Sequence, residues 1–60
     1  MPRLSKRDTD EFKAYLRNCT DAQVLGVIEK EHAAGRRAYE NLARDEQMNR
    51  IVAGTWKGER

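Results

Sequence analysis

Asn18-Cys19-Thr20-Asp21-Ala22-Gln23-Val24 is the stretch that decides how this chain folds. Thr20 followed three residues later by Gln23 has the spacing of a capping box. In that motif the hydroxyl accepts the backbone N–H of residue 23, and the glutamine reaches back to the backbone of residue 20. Cys19 and Val24 occupy the two positions of a hydrophobic staple around the cap. One helix therefore starts at residue 21, and an earlier one ends by Asn18. So short a connection predicts antiparallel neighbours.

Upstream of that junction, Phe12, Tyr15, Leu16 and Cys19 recur at +3, +4 and +7, on one helical stripe. Asp8 and Glu11 have cap spacing, and Asp10 and Glu11 place negative charge at the positive end of a helix. These features predict a short helix at about 9–18, preceded by a basic arm over 1–8 in which Pro2 discourages regular structure. Downstream, Leu25, Ile28, His32, Gly35, Tyr39 and Leu42 are spaced 3, 4, 3, 4 and 3 residues apart, a heptad seam. Val24, Val27, Ala38 and Ala43 widen its apolar face. Glu40 and Arg44 form an i,i+4 pair in the favourable order.

This pattern predicts a long helix at about 21–46. Gly35 costs about 1 kcal/mol inside such a helix relative to alanine. The competing reading ends a helix at Ala34 and starts a third near Arg36. Continuity is favoured because no Ser, Thr, Asp or Asn stands there to cap a new helix. Past Asp45, Met48, Ile51 and Val52 turn away from the Leu42 side. The helix either frays near Glu46 or continues with a second apolar face. Gly54, Gly58 and the charged end mark residues 47–60 as a flexible tail, with Trp56 as a loosely held side chain or an anchor for a partner. The expected architecture is all-α, an antiparallel helical hairpin.

Composition narrows the classes of function. Sixty residues, 38% hydrophobic and 37% charged, make one small domain at most, and one of that size buries only about 60% of the surface its unfolded chain exposes. The mean hydropathy is −0.97, and no apolar run approaches the ~20 residues of a membrane span or forms a signal-peptide core. A lone cysteine, Cys19, fits a reducing compartment such as the cytoplasm. His32 is also the only one of its kind, whereas a structural zinc site needs four ligands. The single serine, Ser5, stands in the arm, away from any base, and the glycines follow no phosphate-loop spacing. Glu29, Glu31, Glu40 and Asp45 sit beside basic neighbours as helix-surface groups. The expectation is a protein with no catalytic site, metal or cofactor.

The net charge of +2 is spread, not gathered: residues 1–20 and 36–60 each carry +2, and 21–35 carry −2. Interleaved acids are the mark of solvated helix surfaces, and they argue against a membrane-surface helix. A nucleic-acid reader remains the alternative, using Arg3, Lys6, Arg7, Arg36 and Arg37. The second helix opens on Asp21-Ala22-Gln23, however, where a recognition helix would carry basic side chains.

The string Asp10 to Val24, with Leu16-Arg17-Asn18-Cys19-Thr20-Asp21 and Gln23-Val24 at its centre, is followed by Val27-Ile28-Glu29-Lys30-Glu31 and Arg37-Ala38-Tyr39-Glu40-Asn41-Leu42-Ala43. Over residues 10–43 the chain resembles small early-operon accessory proteins of lambda-type temperate phages and enterobacterial prophages. The resemblance implies an accessory role in lytic growth, acting on a host process by binding. It carries no functional residue across.

A ten-residue helix spans ~15 Å and a twenty-six-residue helix ~39 Å. The short helix then covers only the Leu25–Ile28 half of the long one, leaving Tyr39, Leu42 and Ala43 bare. Small cores without a disulfide or metal usually need a partner. The expected cover is a second copy, through a two-fold seam of His32, Gly35, Tyr39 and Leu42, or else a host protein. Arg36 and Arg37 flank the seam, and Trp56 is a further anchor.

Overall fold

The computed structural model describes residues 5–58, and these form three helices: α1 Lys6–Arg17, α2 Asp21–Ala33 and α3 Arg37–Ala53. Among the described residues there is no strand.

Helix α1 begins three residues earlier than its acidic residues suggest. Ser5 is the cap, its hydroxyl accepting the Asp8 backbone N–H at 3.1 Å, and Asp8 lies inside the first turn. The last three residues of the expected arm are therefore helix. At the next junction both halves of the capping box form: Gln23 N–H donates to Thr20 Oγ1 at 3.2 Å, and Thr20 N–H donates to Gln23 Oε1 at 2.8 Å. Cys19 and Val24, the staple pair, are both buried in the core.

The expected continuous helix over 21–46 is two helices. Gly35 adopts φ +71°, in the left-handed region. The Arg36 N–H donates to the Glu31 carbonyl at 2.9 Å, and the Gly35 N–H to the His32 carbonyl at 3.1 Å. These two bonds are a Schellman closure, which satisfies carbonyls that a helix end leaves open. Arg36 starts α3 with no side-chain cap. The break is thus fixed by how α2 ends, and the absence of a capping residue for α3 did not prevent it. Gly35 sits exposed in the turn.

Beyond residue 46 the chain stays helical to Ala53, so the first half of the expected tail is the last two turns of α3. Gly54 (φ +78°) ends the helix in the same manner, with Thr55 N–H on the Arg50 carbonyl at 2.9 Å.

Helix α3 packs closely against both other helices, while α1 and α2 meet through side chains, Leu16 joining Val24 and Ile28 in the core. Asp21 at the start of α2 meets Arg50 near the end of α3, and His32 near the end of α2 meets Glu40 in the first turn of α3. Those two helices are therefore antiparallel. The predicted packing of the first helix along the Leu25–Ile28 half of the second gives way to packing on α3, where the Phe12 and Tyr39 rings meet edge-on at 4.7 Å. The core is small: Leu16, Cys19, Val24, Ile28 and Ala43, with Phe12, Val27, Leu42 and Trp56 packed around it. Tyr39 and Leu42 are half-buried and Ala43 fully so. The stripe expected to lie bare is covered within the chain by α1.

No atom lies within 4 Å of a Cβ built on Gly35, so Gly35→Ala meets only the backbone cost of the left-handed conformation, about 1–2 kcal/mol. A urea melt should show destabilisation of that size. Increased stability would mean that the chain prefers one continuous helix there.

Candidate interaction surface

The best-organised polar site of the molecule is built around Arg50, on the inner side of α3. Its Nε donates to Glu46 Oε2 at 2.7 Å, and one Nη donates to Asp21 Oδ1 at 2.7 Å. The other Nη reaches the carbonyls of Leu16 at 2.9 Å and Cys19 at 2.7 Å. The guanidinium is 14% exposed. It meets the carbonyl end of α1, where a cation is favoured, and the carboxylate in the first turn of α2. The two carboxylates, Glu46 ahead of Asp21, raise its pKa further above the usual arginine value.

Asp21 has a second role. Its Oδ2 accepts the backbone N–H groups of Lys57 at 2.7 Å and Gly58 at 3.3 Å. The Lys57 N–H, together with Arg50, holds the Asp21 carboxyl below its ordinary 3.8. Trp56, expected as a loosely held side chain or an anchor for a partner, is half-buried against the core as the chain folds back.

Two further acids, Glu31 and Glu40, are buried beside the α2–α3 turn. Arg44 bonds Glu40 from one turn further along, and His32 Nδ1 lies 3.2 Å from it. Arg44 foremost, with His32, keeps Glu40 below its ordinary 4.5. Arg36 Nε lies 2.7 Å from Glu31 Oε1, a charge contact whose angles fall short of a hydrogen bond.

The residues expected to make contacts are therefore mostly occupied. His32 is exposed but paired with Glu40, and Arg36 is paired with Glu31. Gly35 shapes a turn. Tyr39 and Leu42 pack inward, and Trp56 folds onto the core. Arg37 is exposed at the start of α3. Of the alternative nucleic-acid set, Lys6 and Arg7 lie in the first turn of α1, with Arg7 paired to Glu11 at 3.2 Å, and Arg3 lies outside the described residues. Among the described residues no group of three metal-ligating side chains comes together, and no helix is long and apolar enough to cross a membrane. The Cys19 thiol is buried and donates to the Tyr15 carbonyl at 3.3 Å.

What remains open is the outer face of α3. Met48, Ile51 and Val52 are 57%, 48% and 80% exposed. Their +3 and +4 spacing puts them on one stripe roughly 100° wide. Beside it a groove between α1 and α3 has Leu16 and Leu42 in its lining, with Lys13 and Arg17 on one wall and Asp45 and Asn49 on the other. Of the two readings of the region past Asp45, the structure takes the second apolar face. Sequence reasoning located that face without ranking it above the heptad seam. It missed Arg50, whose only local signal is Glu46 four residues earlier.

No family model matches the chain, and no curated protein or solved structure matches it either.

Asp21 and Glu40 both have folded-state pKa values below their unfolded ones. Such groups contribute stability that is present above pH 4–5 and lost as pH falls through the folded values. Urea midpoints should hold steady from pH 7 to about 5 and fall below about 4. In Asp21→Asn the acid drop should shrink. An identical drop in wild type and variant would remove Asp21 from the account.

Proposed function

We propose that this chain is a small protein-interaction module without catalytic activity, and that it binds through the outer face of α3. The observation that carries the reading is the Met48–Ile51–Val52 stripe. Three large apolar side chains stand about half or more exposed on one helix face, in a chain that is 37% charged. Leaving that much apolar surface in water is unfavourable by about 25 cal/mol per Å2, and clustered exposure of this kind marks contact sites.

The arginines of the nucleic-acid alternative argue the other way. Arg7 and Arg36 are each paired with an acid, Glu11 and Glu31. The face accepts a second copy of the chain or another protein. Self-association uses this stripe in place of the expected seam of His32, Gly35, Tyr39 and Leu42. The resemblance of residues 10–43 to phage accessory proteins supplies the setting: a regulator in the bacterial cytoplasm, acting on a host process early in lytic growth.

Val52→Glu should leave the helical circular dichroism and the melt nearly unchanged, because surface substitutions usually alter stability by less than about 0.5 kcal/mol. A photo-cross-linking side chain at Met48 should give protein adducts in bacterial cells, and Val52→Glu should reduce them about tenfold, the loss expected for a central apolar anchor. The same probe at Lys6 should give none. Adducts only from Lys6 or Arg37, or only to nucleic acid, would contradict the reading.

A further inference from the structure

Asp21 divides its two carboxylate oxygens between two tasks. Oδ1 holds Arg50, and Oδ2 holds only the backbone of Lys57 and Gly58. We propose that Trp56-Lys57-Gly58 is a strap that opens and closes on the three-helix unit in a step of its own, with Asp21 as its clasp and Trp56 as its plug.

The attachments of the strap are few and separable from those of the helices. Trp56 N–H donates to the Arg50 carbonyl at 3.1 Å, the two following N–H groups go to Asp21 Oδ2, and the indole packs on the core. Nothing in the helix ends depends on these bonds. The capping box at Thr20 closes the start of α2. Gly54 N–H on the Ile51 carbonyl and Thr55 N–H on the Arg50 carbonyl close the end of α3. When the strap leaves, every helix keeps its caps and Arg50 keeps its pair with Asp21. Thr55, whose N–H stays on the Arg50 carbonyl, is the last residue held by α3 itself, so the strap swings from the Thr55–Trp56 bond.

Segments tied by few contacts open at lower free energy than the unit they lie on. Opening uncovers the part of the core that the indole covers, so the strap gates an apolar surface distinct from the α3 stripe. The inference does not depend on what the stripe binds.

Two measurements test it. Native-state hydrogen exchange of the intact chain should show the Lys57 and Gly58 amides protected relative to an unstructured peptide. They should nonetheless exchange at least about tenfold faster than the Val24 and Ile28 amides. Equal rates would make the strap part of one cooperative unit, and absent protection would mean no strap, so either result overturns the proposal. Lys57→Pro removes the shorter clasp bond without touching the Asp21–Arg50 pair. The emission of Trp56, the chain's single tryptophan, should then shift to the red and be quenched by acrylamide at least about twofold faster, with the helical signal retained. Unchanged emission, or a shift seen only together with loss of helix, would overturn the proposal.

Discussion

The fold depends on one guanidinium placed where three chain segments meet. Arg50 lies on α3, yet its bonds go to the last carbonyls of α1, the connecting residue Cys19, the first residue of α2 and Glu46 of its own helix. A charge this enclosed is unfavourable unless its donors are matched, and a planar group with five N–H donors suits such a task better than an ammonium. Leu16 of α1 shares one apolar cluster with Val24 and Ile28 of α2 and Ala43 of α3. Arg50 adds to that cluster the polar bonds that tie α3 to both of the other helices.

The apolar core alone supplies little redundancy. Five buried side chains, one of them an alanine and one a cysteine, anchor the cluster. Truncating a buried leucine or valine in such a core removes contacts that no neighbouring layer replaces. That explains why the polar structure is so fully developed: two helix starts are capped by side chains, two helix ends are closed by left-handed glycines, and Glu40 is held by both Arg44 and His32. The two capped starts contribute about 1 kcal/mol each, and all of these act between residues no more than eight apart. Arg50 is the long-range one.

Local chemistry was legible in the sequence, and distant pairing was not. The Thr20–Gln23 box placed the start of α2 correctly, because both partners lie within four residues. The phase of Met48, Ile51 and Val52 already separated them from the Leu42 side. The start of α3 was hidden because Arg36 carries no cap; the informative residue was Gly35, read as a tolerated interior glycine although left-handed closure is the commonest reason for a glycine at a helix end. The heptad spacing across it was real in number but split between two helices, so Tyr39 and Leu42 turned inward to α1. The pairing of Asp21 with Arg50 spans 29 residues, and no periodicity announces it.

The account stands on the coupling between Asp21 and Arg50, and a double-mutant cycle measures it directly. Urea unfolding of wild type, Asp21→Ala, Arg50→Ala and the double variant at pH 7 isolates the pairwise free energy. The account predicts a coupling of at least about 1 kcal/mol, with the double variant less destabilised than the sum of the single ones. Additive effects, with coupling near zero, would mean that the three segments are held by the apolar core alone and that Arg50 is not the point on which the fold turns.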